Sequence, residues 1–179
     1  MVGIMWAVYL IDVITPGRLT WLGVTSWDWS KLWAVVTMPF VHGGWFHLVS
    51  NTLPFIILGC LVALGGASRF LGVTAIVGLI GGLGVFFVNS PGSLTVGASG
   101  LVFGYFGYLL VDGFVEPNVR TKIWKIALAI IVAAIWGIPM LLGVLPIRLG
   151  VSWQGHLFGL IGGIVAALLY DRREIAGTS

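Results

Sequence analysis

Charge is scarce in this sequence. Asp, Glu, Lys and Arg make up 8% of its 179 residues, against roughly 25% in soluble domains. Hydrophobic residues make up 59%, and a soluble fold of this size has too little interior to hide them. The chain therefore reads as an integral membrane protein, of a length that permits a single domain over residues 1–179. Nine basic and six acidic residues leave an excess of three positive charges. They are scattered, with no basic stripe, which excludes nucleic acid as a partner. Cysteine is nearly missing. Cys60 alone cannot form an internal disulfide and has no metal ligands beside it, so it is expected to pack within its apolar run. No internal repeat is visible. No basic segment precedes the first apolar stretch and no small-residue cleavage site follows it, so that stretch does not resemble a signal peptide.

What is abundant is long apolar runs. A bilayer core about 30 Å thick takes about 20 apolar residues in a helix. Five runs meet that length, roughly 45–64, 70–89, 98–115, 123–145 and 152–170. A sixth, Val2 to Ile14, rises only about 20 Å at about 1.5 Å per residue, so it is a short helix or the remainder of a longer one. The expectation is an all-α polytopic membrane protein, a bundle of six transmembrane helices. The loop between the first two spans, roughly 15–44, carries Trp21, Trp27, Trp29 and Trp33, with Trp45 just beyond. Indoles suit the bilayer interface, where the ring is apolar and its N–H stays wet; an ordinary packed loop is the alternative. Loops alternate sides. One side receives Arg69, Arg120, Lys122, Lys125, Arg172 and Arg173, the other Arg18, Lys31 and Arg148. The positive-inside rule then puts both termini in the cytoplasm and the tryptophan loop, "NSPGSLT" and "PIRLGVSW" outside.

Polar residues inside such spans cost free energy unless paired, so each is a candidate site. His47 and Asn51 in "HGGWFHLVSNTLPF" are four apart and share a helix face. Ser99 opens the fourth span and His156 lies one turn into the last. All four fall near the outward end of their helices, at one depth, which suggests a shared wet cavity. Ser99 alone would read as packing, because Gly97, Gly100, Gly104 and Gly107 give the small-residue spacing that lets helices touch. Gly155, Gly159 and Gly163 repeat that spacing in the last span. The same glycines would bring Ser99 beside His156, so packing would serve chemistry. A serine hydroxyl becomes a nucleophile when a base takes its proton, and histidine does so near neutral pH. Attack on a carbonyl makes an oxyanion that needs preorganised donors; His47, Asn51 and the Ser99 N–H at a helix start can supply them. Asp112 lies too far along its span to orient His156, and Asp12 is the other carboxylate near an outer end. The expectation is a Ser–His dyad in place of a triad.

"HGGWFHLVSN", "GASG" and "GHLFG", in that order, each opening a span on the same side, resemble the rhomboid family of intramembrane serine proteases. The resemblance covers essentially the whole chain and is closest to the compact six-helix bacterial form. It implies Ser99 as nucleophile, His156 as general base, and His47, Asn51 and the Ser99 amide as oxyanion donors. His42 matches a histidine that supports loop structure in relatives. The implied activity is cleavage of a single-pass membrane helix in or near its outer end, often after a small residue. The implied setting is the bacterial plasma membrane, and no metal or cofactor is used. Phe103 stands where many members have a tyrosine that stacks on the catalytic histidine; the ring remains. Trp33-Ala34 stands where many carry Trp-Arg, and Gly155 stands where alanine is also common. Pro54 removes a backbone bond to Ser50, so a bend near Asn51 is expected. Gly137 and Pro139 can kink the fifth span and Pro146 should end it. In the family that helix borders the side route from lipid, so it is a candidate gate, with a static kink as the alternative.

Other functions compete. A catalytically inactive relative would bind or escort membrane helices, but such relatives usually lose the serine or the histidine. A transporter would show repeats or midplane sites. A scaffold would explain the glycines but not His47, Asn51 and His156 together. The oligomeric state is left open.

Overall fold

A computed structural model describes residues 1–15, 19–147 and 150–177, with side chains through Tyr170. Arg18 and Arg148, and the side chains of Arg172 and Arg173, lie outside the described residues, so the charge count across the membrane draws on positions the structure does not describe. Among the described residues the regular structure is all helical apart from one minimal ribbon. Its helices are α1 (Val2–Ile14), the single turn α2 (Ala34–Thr37), α3 (Trp45–Ala63), α4 (Ala67–Val88), α5 (Ser99–Val115), α6 (Val119–Gly143) and α7 (Trp153–Gly177). Two-residue strands β1 (Val24–Thr25) and β2 (Leu94–Thr95) pair antiparallel, with Val24 opposite Thr95. Among the described residues four helices are long and apolar enough to cross a bilayer: Trp45–Ala63, Ala67–Val88, Val119–Gly143 and Trp153–Tyr170. α1 and α5 are apolar but shorter, at 13 and 17 residues.

Local chemistry sets the helix ends. Asn118 caps α6 by accepting the Thr121 N–H at 3.1 Å, and Ser152 accepts the Gly155 N–H at 3.2 Å at the start of α7. Both satisfy donors that a helix start leaves without partners. Pro54 and Pro139 sit inside α3 and α6 without ending either helix. α6 stops at Gly143, three residues before Pro146.

α5 is the axis of the bundle. Every residue from Gly100 to Leu109 is buried, and α3, α4, α6 and α7 all pack against it. Its two buried tyrosines find partners for their hydroxyls, as buried phenols usually must. Tyr105 lies 2.7 Å from Thr74 Oγ1, and Tyr108 donates to Asp112 at 3.1 Å. At that end of α5, Lys125 of α6 sits between Asp112 (3.0 Å) and Glu116 (2.5 Å), with Arg69 of α4 at 4.0 Å from Asp112.

α5 and α7 meet backbone to backbone. A Cβ built at Gly159 would lie 3.0 Å from Gly100 Cα, and one at Gly163 would lie 2.7 Å from the Gly104 carbonyl carbon. From the other side, a Cβ at Gly107 would lie 2.6 Å from the Leu160 carbonyl oxygen. Real side chains do not fit such gaps, so the seam requires glycine.

Cys60 corrects an expectation. It is exposed, not packed in the core. The buried stripe of α3 runs through Leu48, Asn51, Phe55, Leu58, Gly59 and Val62, and position 60 falls off that face. The tryptophan loop is both exposed and anchored. Trp21, Trp27, Trp29, Trp33 and Trp45 keep 45–65% of their surface exposed. Beneath them, Ser26 Oγ donates to Val85 O (2.9 Å) and Trp27 Nε1 to Asn89 O (3.0 Å), tying the loop to the end of α4. Ala34 is fully buried, so an arginine side chain has no room there. Lys31 supplies the cation instead, 5.1 Å and 5.5 Å from the Trp21 and Trp33 ring centroids.

The seam generates a stability prediction. Gly163→Ala should lower stability in detergent by about 1–3 kcal/mol, the usual cost of forcing volume into a packed interface, read as a drop in melting temperature. No loss would mean that α5 and α7 can separate without penalty.

Candidate active site

Ser99 is the first residue of α5, and the turn before it is built to place it. Gly97 has φ +116°, a conformation that favours glycine. Its N–H donates to Met38 O at 3.0 Å, and the Ala98 N–H donates to His42 Nε2 at 3.4 Å. The first bond of the α5 ladder runs from the Val102 N–H to Ala98 O at 3.1 Å. The Ser99 N–H therefore lies outside that ladder, at the positive end of the helix dipole.

His156 reaches Ser99 from α7. The seam aligns Gly100 with Gly155 and Gly159, so the residue before Gly100 faces the residue after Gly155. His156 Nε2 lies 2.9 Å from Ser99 Oγ, and His156 Nδ1 lies 2.9 Å from the Gly143 carbonyl oxygen at the end of α6. The ring stacks on Phe103, with centroids 4.0 Å apart and planes 7° from parallel. His156 is buried, and Ser99 is half-buried. Among the described residues no carboxylate is hydrogen-bonded to His156. Asp112 engages Lys125, and Asp12 accepts the Leu19 N–H.

His47 and Asn51 approach from α3. The His47 ring lies against Gly97, where an added Cβ would sit 2.6 Å from His47 Nε2. Its carbonyl accepts from Asn51 Nδ2 at 2.8 Å. That bond uses one amide hydrogen of Asn51 and leaves the second for another acceptor. Ser99, His156, His47, Asn51 and Phe103 all line one cavity of about 1040 Å³, which also touches Trp136 and Met140 of α6. His42 lies outside it, edge-on to His47 with centroids 5.1 Å apart. Among the described residues no group of three His, Cys, Asp or Glu side chains could hold a metal ion. The arrangement offers a hydroxyl beside an imidazole, with amide donors on the same cavity wall, and that set can carry out acyl transfer.

Three contributors carry little or no signal in the sequence. The Gly143 carbonyl is a backbone atom with no side-chain signature, and the sole sign of it was Pro146, which stops α6 nearby. Trp136 and Met140 read as ordinary apolar positions, and only the fold shows that they wall the cavity.

A family model described as the Rhomboid domain matches residues 30–173. The uncharacterized protein Rv1337 of Mycobacterium tuberculosis is 40% identical over 182 aligned positions, covering 97% of this chain and 73% of its own. YdcA of Bacillus subtilis, whose name provisionally assigns it as a rhomboid protease, is 31% identical over 155 positions, 86% of this chain and 73% of its own. The protein named Inactive RHOMBOID-like protein 8 of Arabidopsis thaliana is 30% identical over 138 positions, 73% of this chain and 36% of its own.

The turn before Ser99 should be sensitive to acid. Burial, and then the neighbouring His47, hold the His42 ring down from 6.5 to about 4, with the Phe40 carbonyl acting the other way. The unfolded chain takes up this proton near 6.5 while the folded one resists it. Stability from this group is therefore intact above about 6.5 and is lost as pH falls toward 4. Protonation also removes the acceptor for the Ala98 N–H. His42→Gln keeps an acceptor that does not titrate, so its melting temperature should fall less than wild type across that window. Equal slopes would acquit His42.

Proposed function

The chain belongs to the rhomboid family, and from that premise we propose that it is an intramembrane serine endopeptidase that cleaves single-pass transmembrane helices near their outer end. In this reading α1 and α3 to α7 are the six spans, set in a bacterial plasma membrane with both termini cytoplasmic and the cavity opening outward. The observation that carries the proposal is the 2.9 Å approach of His156 Nε2 to Ser99 Oγ inside a cavity that also holds His47 and Asn51.

The chemistry runs through Ser99 and His156 in two halves. His156 Nε2 takes the hydroxyl proton as Ser99 Oγ attacks the substrate carbonyl carbon. The carbonyl oxygen becomes an oxyanion, held by the Ser99 N–H, the second Asn51 amide hydrogen and His47. Collapse breaks the C–N bond, and the imidazolium gives its proton to the departing amine. Water then attacks the acyl-enzyme, loses its proton to His156 and releases the acid, restoring Ser99. The cavity wall includes Ser50, Ser93 and Gln154, polar groups suited to holding that water. A helix shields its carbonyls by its own hydrogen bonds, so the substrate must unwind at the cut. It enters between α6 and α3, both of which line the cavity, with α6 as the moving wall.

The test is cleavage of a labelled single-pass helix by purified protein in lipid. Ser99→Ala and His156→Ala should each lower kcat by about 10³-fold or more, and Asn51→Ala by about 10²-fold. The product mass gives the bond. Binding without cutting, by wild type and variants alike, would replace the protease with a helix-binding role like that of an inactive relative. A disulfide joining α6 to α3 should stop cleavage, and full activity in the cross-linked protein would remove α6 as the gate.

A further inference from the structure

His156 has no carboxylate behind it, yet its ring is held on three sides: by Phe103 across one face, by Ser99 at Nε2 and by Gly143 O at Nδ1. A carbonyl oxygen carries no hydrogen, so its bond to Nδ1 requires the proton to be on Nδ1. A neutral imidazole has one such proton. Nε2 is then the bare acceptor facing the Ser99 hydroxyl, which is the state a general base needs.

We infer that the Gly143 backbone carbonyl is the positioning group of the dyad. It fixes the tautomer and orientation of His156, and it makes catalytic competence conditional on where the end of α6 sits. The inference rests on the protease reading of Ser99 and His156. When His156 takes the serine proton its ring becomes cationic, and the bond from Nδ1–H to Gly143 O becomes charge-assisted. The C-terminal end of the α6 dipole favours the same cation.

The carbonyl is available for a physical reason. Were α6 to run on, Gly143 O would accept the Ile147 N–H. Pro146 blocks that continuation, because its ring lacks an N–H and disfavours helical geometry at Leu145. The Ile147 N–H turns to Leu145 O instead, at 2.8 Å. Position 143 also excludes a side chain: a Cβ would lie 3.3 Å from His156 Nδ1 and run into the Phe103 ring. α6 packs chiefly on α5 and is clamped at its far end by Lys125. Movement of its near end would withdraw the carbonyl from His156. Entry past α6 and arming of the base are thereby coupled, and the base is set when α6 returns.

The experiment gives the Ile147 N–H a chance to compete. Pro146→Ala allows α6 to extend so that Ile147 N–H takes Gly143 O. The double variant Pro146→Ala/Ile147→Pro removes that donor again. The ¹⁵N spectrum of histidine-labelled protein in detergent, with His156→Ala to assign the signal, reads the tautomer directly. Wild type should show His156 protonated at Nδ1. Pro146→Ala should lose that signature and lower kcat for the labelled helix about tenfold or more, with KM little changed. The double variant should recover both. A wild-type ring protonated at Nε2 overturns the inference. So does a Pro146→Ala protein with unchanged spectrum and kcat, or a loss of kcat that the double variant does not rescue. The tautomer is read without cleavage, so a protein that never cuts its probe sinks the protease reading while the spectrum still decides the positioning role.

Discussion

Two backbones touch along the seam between α5 and α7, where Gly100 and Gly104 face Gly159 and Gly163. In lipid there is no hydrophobic force to draw helices together, so close contact comes from small residues that let backbones approach. Ser99 and His156 flank that contact on either helix. The distance between their side chains is a consequence of how near the helices can come. α5 is then surrounded by the other long helices, and the cavity opens where its first turn meets α3, α6 and α7.

The site is assembled largely from the ends of helices. Ser99 begins α5, Gly143 ends α6, His156 lies in the first turns of α7, and His47 lies in the first turn of α3. In a chain with so few charges, backbone groups such as the Gly143 carbonyl stand beside the imidazole and the hydroxyl. Half-buried ions gather at the opposite end, where Lys125, Asp112, Glu116 and Arg69 tie α4, α5 and α6 together. Mutual pairing there satisfies groups that lipid would otherwise penalise. The fold thus separates a charged clamp from a cavity whose lining carries no Asp, Glu, Lys or Arg among the described residues.

Much of this was legible in the sequence because its signals are periodic. The apolar runs are helices, and the two glycine series foretell that Ser99 and His156 meet. The four-residue spacing of His47 and Asn51 puts them on one face, where the Asn51 amide reaches the His47 carbonyl. Phe103 lies one turn after Ser99 and carries the ring that stacks on His156. Signals without periodicity were lost. Gly143 acts through a carbonyl that every residue has. Cys60 lies in an apolar run that is apolar on all sides, so composition could not say which face meets the core. Lys31 lies over the Trp21 and Trp33 rings, a contact that only the folded loop can show. Pro54 and Pro139 lie inside α3 and α6, and both helices continue past them.

The glycines of this protein look alike in the sequence and differ sharply in what surrounds them. At Gly163 an added methyl would enter the backbone of α5, while at Gly137 nothing lies within 4 Å of one. One position is closed to almost any inherited change, and the other is open to it. Gly137 lines a crevice between α6 and the α5–α7 pair that leaves room for a methyl, so descendants of this chain are free to drift there. The seam can change only if both helices change in concert.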